Sequence, residues 1–180
     1  MVEQVRRIRK FFLVCFVCCF SMLVLGASGD SQTSQAVPKA IRELTEEEKI
    51  TPEELRALQL KRADFVLFDA RDNQVYDQER ITGARLPLPI AYYQDRQLFR
   101  ARVISRPPDL DATLAESTKR YPKNTNIVVY CNRDCKAGAF LLLQLKKLGF
   151  TRVRAMEAGI GEWKEKGYPV TAGAPKVSGL

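Results

Sequence analysis

The run "NIVVYCNRDCKAGAFLLLQLKKLGFTRVRAM", Asn126 to Met156, constrains the fold more than any other stretch of the chain. Ile127–Tyr130 is apolar and β-branched without alternation, which suits a strand covered on both faces. Lys136–Leu148 has helical length and stops at Gly149, a residue that ends helices by taking left-handed backbone. Arg152–Met156 reads as a second strand. Strands that alternate with helices imply a parallel α/β sheet with helices on both faces. Cys131 falls on the hinge between the first strand and the helix, where open α/β sheets place their ligands.

The remaining elements fit that frame. Thr45-Glu46-Glu47-Glu48 and Thr51-Pro52-Glu53-Glu54 both match the capping box, and proline at the first helical position points to a helix over Pro52–Leu60. Phe65–Asp69 reads as a strand, followed by an irregular polar stretch, a short strand at Gly83–Leu86, and an aromatic, arginine-rich segment Tyr92–Arg106 closed by Pro107-Pro108. A helix is expected from about Asp111 to Arg120, and a last amphipathic helix in "GIGEWKEKGYP", ended by Gly167 and Pro169. No internal repeat is present.

The chain of 180 residues suits one domain with a terminal extension. Arg6, Arg7, Arg9 and Lys10 precede the uncharged apolar segment Phe11–Ala27, the pattern of an export signal or a short membrane anchor. The boundaries expected are a signal or anchor over 1–29, a linker over 30–48, the domain over 49–170 and a flexible tail over 171–180. Both fates of the signal place the domain outside the cytoplasm, in a periplasmic or similar compartment.

Net charge is +8, and residues 1–29 carry four cations and one anion, which leaves +5 for the rest. That excess lacks the aromatic-interleaved basic run of a nucleic-acid binder. Arg96, Arg100, Arg102 and Arg106 read either as a solvated face or as the mouth of a site that attracts an anion. Cys15, Cys18 and Cys19 lie in the apolar segment, so only Cys131 and Cys135 remain for the domain. They are too few for a disulfide framework, and a chain with no histidine lacks the usual zinc ligand and the usual base of a catalytic triad.

An isolated cysteine after an apolar run reads by default as a packed small hydrophobe. At a strand-to-helix turn, however, inward backbone N–H groups and the helix dipole favour an anion and a thiolate, and Lys136 adds a positive charge. Here the chain resembles the single-domain rhodanese-like sulfurtransferases over roughly Ile50–Val170. "ITPEEL" and "FVLFDAR" resemble that family's opening helix and Asp-x-Arg strand end, "ERITGARLPLP" its His-Ile-x-Gly-Ala segment, and "YCNRDCKAG" its active loop. "LGFTRVRAMEAGIGEWKEKGYPV" resembles its closing strand and Gly-Ile-x-x-Trp helix. The chain departs from the pattern at Arg80 for histidine, Asp134 for glycine, Lys136 for arginine and Ala158 for a first glycine.

The resemblance implies a rhodanese-like open parallel sheet and a Cys131 nucleophile. It also implies a substrate loop of Asn132, Arg133, Asp134, Cys135 and Lys136, supported by Asp69 and Arg71. Metal and organic cofactors are not implied. The reaction implied moves sulfane sulfur from a small anionic donor such as thiosulfate, through a Cys131 persulfide, to a thiol or to cyanide. The alternative is a module of the same fold that binds a partner or senses redox state. A phosphatase relative would need a longer loop ending in arginine, and Lys136 and Ala137 stand there instead. Cys135 reads either as filler under the loop or as the partner of Cys131 in a reversible disulfide.

Overall fold

The computed structural model describes residues 43–133 and 136–173. The apolar segment Phe11–Ala27, linker residues 30–42, Asp134, Cys135 and tail residues 174–180 lie outside them. In chain order the elements are α1 (Pro52–Leu60), β1 (Val66–Asp69), α2 (Asn73–Gln78), β2 (Glu79–Ile81), α3 (Ile90–Arg100) and α4 (Leu110–Thr118). Then follow β3 (Asn126–Tyr130), α5 (Lys136–Lys147), β4 (Arg152–Met156), α6 (Gly159–Glu165) and β5 (Val170–Ala172).

Strands β1, β3 and β4 form a parallel sheet in the order β1-β3-β4, with Asp69 opposite Tyr130 and Tyr130 opposite Met156 at its C-terminal edge. The two-residue period of a strand sorts its side chains onto two faces. Phe68, Ile127, Val129, Val153 and Ala155 pack with Leu114 of α4 and with Leu141, Leu142 and Leu145 of α5. Leu67, Val128, Tyr130 and Met156 pack on the other side with Leu55 of α1, Tyr76 of α2, and Ile160 and Trp163 of α6. The unbroken apolar pattern of β3 therefore reflects two cores, one on each face.

Several local expectations change. Gly83–Leu86 is not a strand: only Arg85 bridges to Phe68, and Pro87, which lacks an N–H, follows at once. The strand of this region is Glu79–Ile81, which pairs antiparallel with Val170–Ala172. The stretch read as irregular holds α2, and most of the arginine-rich segment lies in α3. The helix expected to Arg120 ends at Thr118. Within 43–48, expected as the end of a linker, two residues anchor the chain to the domain: Leu44 lies in the core, and a 3-10 turn over Glu46–Glu48 buries Glu48 against Lys146. Among the described residues no helix is long and apolar enough to cross a membrane.

Candidate functional site

Cys131 follows the last residue of β3 and is buried, with 4 % of its surface exposed. The hinge is held from two sides. The N–H of Ile160, in the first turn of α6, donates to the Cys131 carbonyl at 2.9 Å. A β-carbon on Gly138, in the first turn of α5, would stand 3.8 Å from the Cys131 Cβ, so that turn lies directly on the cysteine.

Gly159 makes the tightest contact. Its φ is +63°, and a β-carbon there would stand 2.4 Å from the Asn132 carbonyl carbon, 2.6 Å from the Arg133 nitrogen and 2.6 Å from the Cys131 oxygen. Only glycine lets the start of α6 approach the loop backbone this closely. Cys131 takes part in a disulfide, and its partner lies outside the described residues.

Beneath the hinge lies a buried polar network. The Asp69 carboxylate receives Arg71 Nε at 2.9 Å and Nη2 at 2.6 Å, and the Tyr130 hydroxyl at 2.6 Å. Arg71 also donates to the Glu79 carbonyl at 2.6 Å and lies 5.7 Å from the centre of the Tyr130 ring. The Ile81 N–H donates to the Tyr130 hydroxyl, and the Ala70 N–H to the Tyr130 carbonyl at 2.8 Å. Burial pulls the Arg71 guanidinium down, but the hydrogen bond and charge of Asp69 outweigh it and hold the cation above its ordinary value. Burial, reinforced by the Asp69 charge, pushes the Tyr130 phenol well above its ordinary range.

Asp69 and Arg71 therefore fix Tyr130, the residue before the cysteine, and among the described residues the bonds of their side chains to other elements go to β2 and β3. Asn132 is exposed, Arg133 reaches to Glu165 of α6 at 2.6 Å, and Lys136 stands exposed at the start of α5. Arg80, at the family's usual histidine position, is turned to structural work. Its guanidinium lies 4.7 Å from the centre of the Tyr76 ring and donates to the carbonyl of Gly173, just past β5. Reading the sequence missed Tyr130 and Gly159. A tyrosine ending an otherwise aliphatic strand and a glycine opening a helix were the available signals.

A model of the rhodanese-like domain matches residues 51–166. The chain belongs to the rhodanese-like family. A comparison with curated proteins returns no match. Among solved structures, this rhodanese-like domain is similar to the BH2092 protein of Bacillus halodurans, at 21% identity and a TM-score of 0.53, over 70% of this chain and 77% of that one. It is also similar to the rhodanese-like domain of the Alr3790 protein of Anabaena sp., at 20% identity and 0.52, over 74% and 92%. These likenesses bear out the fold. Among the described residues no cluster of carboxylates and cysteines could hold a metal.

Proposed function

We propose that this rhodanese-like domain is a sulfurtransferase with Cys131 as its nucleophile. The observation that carries the reading is the position of Cys131, between the C-terminal end of β3 and the first turn of α5, where the positive end of a helix dipole favours a thiolate. The thiolate attacks the outer sulfur of a donor such as thiosulfate. A new S–S bond forms on Cys131, the donor S–S bond breaks, and sulfite leaves with the bonding electrons. An acceptor thiolate or cyanide then attacks the terminal sulfur and releases Cys131 as thiolate.

The backbone N–H groups of Asn132, Arg133, Asp134, Cys135 and Lys136 hold the charge of the transferred sulfur. With Arg133 engaged by Glu165, Lys136 supplies the loop's cation. Asp69 and Arg71 are positioning residues acting through Tyr130. The reaction as written requires no cofactor. We place it outside the cytoplasm, with Phe11–Ala27 as signal or anchor, which an alkaline phosphatase fusion at residue 43 would test. Intact mass after thiosulfate treatment tests the chemistry. The reduced wild type should gain one sulfur atom and Cys131→Ser none, and thiosulfate:cyanide turnover by the serine variant would overturn the assignment.

The disulfide on Cys131 favours a second reading, in which the site is gated or serves only as a redox sensor. A bond between Cys131 and Cys135 withdraws the nucleophile, and a dithiol restores it by losing two electrons and becoming a disulfide itself. Thiol titration before and after dithiothreitol, alongside Cys135→Ser, tests the gate. Equal oxidant sensitivity in the variant and the wild type makes Cys135 a packing residue. A reduced wild type that accepts no sulfur from thiosulfate makes the domain a sensor or binding module.

A further inference from the structure

The parallel bridge between Phe68 and Arg85 runs the chain alongside β1 in the same direction, and the Asp69 N–H donates to the Arg85 carbonyl. The chain therefore heads toward the C-terminal end of β1, the strand next to the one that carries Cys131, before it enters α3. Tyr93, the buried anchor of α3, lies close enough to Asp69 and Asp72 to feel both charges. Every other ring of the helix is at least partly covered, Tyr92 and Phe99 included.

What α3 and the turn after it show to solvent is cationic. Arg96, Arg100, Arg102 and Arg106 are all exposed, and Asp95 is the only anion from Ile90 to Arg106. None of the four arginines has a carboxylate partner among the described residues. Among the described residues Lys49, Lys119, Arg133, Lys146, Lys147, Lys164 and Lys166 are each paired, and Arg85, Arg152 and Arg154 are not, but no other described stretch of eleven residues holds four arginines. Exposed apolar side chains are interspersed with the free charges: Ile90, Leu98 and Val103 are 44%, 41% and 68% exposed. Arg102 stands at φ 60°, the left-handed position just past α3 where glycine is the usual residue.

A small anion meets one or two guanidinium groups and gains nothing from the apolar neighbours. The eleven residues of α3 extend about 16 Å, a span that suits a macromolecular surface. A membrane-surface helix turns aromatic and leucine-rich faces outward, whereas α3 buries Tyr93 and partly covers Tyr92 and Phe99. Arginine with scattered apolar contacts is instead the composition of protein interfaces.

Resting on the sulfurtransferase reading, we infer that α3 and its following turn dock an acidic protein that carries the acceptor thiol, and present that thiol to Cys131. The four arginines supply steering and register, and the apolar side chains supply contact.

The test uses the full chain in mild detergent, with single-cysteine peptides flanked by glutamate, glutamine or lysine as acceptors and dithiothreitol as the small control. From the Cys131 persulfide, the glutamate peptide should react at least about tenfold faster than the glutamine peptide at low salt, and the advantage should collapse at high salt. Joint replacement Arg96→Gln, Arg100→Gln, Arg102→Gln and Arg106→Gln should abolish the advantage with dithiothreitol turnover and the urea midpoint unchanged. Equal rates on the glutamate and glutamine peptides, or an advantage that survives in the variant, overturn the inference. So does loss in the variant of binding to phosphatidylserine-containing vesicles when the peptides are not distinguished, since the surface then belongs to a membrane. Fluorescence anisotropy of a labelled glutamate peptide with serine for cysteine reads docking without catalysis. A chain that fails to form persulfide but binds this peptide through the arginines refutes the sulfurtransferase reading, and one that forms persulfide but does not bind it refutes the docking.

Discussion

Gly159→Ala probes the contact that defines the hinge. The added methyl would lie 2.4 Å from the Asn132 carbonyl carbon, about 1 Å short of ordinary van der Waals contact, and the atoms it meets are backbone rather than a side chain that can swing away. Two costs add. Left-handed backbone at φ +63° costs a non-glycine residue about 1–2 kcal/mol, and forced displacement of packed atoms costs about 1–3 kcal/mol more. The expected loss of stability is therefore about 2–5 kcal/mol, and the loop must move relative to α6, straining the Ile160 to Cys131 hydrogen bond. Gly167→Ala is the control: φ there is +68° but nothing lies within 4 Å of the added carbon, so only the backbone cost of about 1–2 kcal/mol applies. Urea unfolding of both variants measures the difference, and the rate of sulfur uptake from thiosulfate by the reduced proteins measures the effect on the loop. Equal destabilisation by the two substitutions, with sulfur uptake unchanged in Gly159→Ala, would refute the argument that α6 sets the loop.

Asp69→Asn leaves the Arg71 cation buried without its counter-charge and should cost about 3–5 kcal/mol in urea unfolding; a loss below about 1 kcal/mol would mean the pair behaves like a surface ion pair. Alkaline conditions should unfold the protein through Tyr93 and Tyr130. Both phenols are buried and held above the ordinary value of 10.0, so above that pH the unfolded chain releases protons that the fold retains. Stability then falls by about 1.4 kcal/mol per pH unit for each tyrosine. Urea midpoints at alkaline pH read the slope, which should be shallower in Tyr130→Phe, and a flat profile contradicts the burial argument. Arg62→Gly should stabilise the domain by about 0.5–1 kcal/mol, because Arg62, two residues past the end of α1, stands at φ 48°; an unchanged thermal midpoint would show that the position carries no strain.

The parts of this fold legible in the sequence are those specified locally. β3, α5 and β4 were readable because β-branched runs, helical spacing and a helix-stopping glycine all act within a few residues of one another. The strand β2 was not readable, since Glu79 and Arg80 look like surface residues until Arg80 finds the Tyr76 ring and the Gly173 carbonyl, the latter across 93 positions of sequence. α2 offers six residues and one buried side chain, Tyr76, too little for a period to emerge. α3 was hidden by composition, because a helix that buries only Tyr93 fully and exposes arginine along its length resembles a polar loop.

The same distinction runs through the site. Asp69 and Arg71 are two residues apart, and their pairing could be anticipated from sequence. Their target could not: Tyr130 lies 61 positions from Asp69, and only the parallel register of β1 on β3 sets the two side by side. That register gives the network its direction. Asp69 holds Arg71 and the Tyr130 hydroxyl, and Tyr130 ends the strand that carries Cys131. α6 meanwhile clamps the far side of the hinge through Gly159 and Ile160. The backbone on either side of the cysteine is thus fixed by β3 on one side and by α6 on the other.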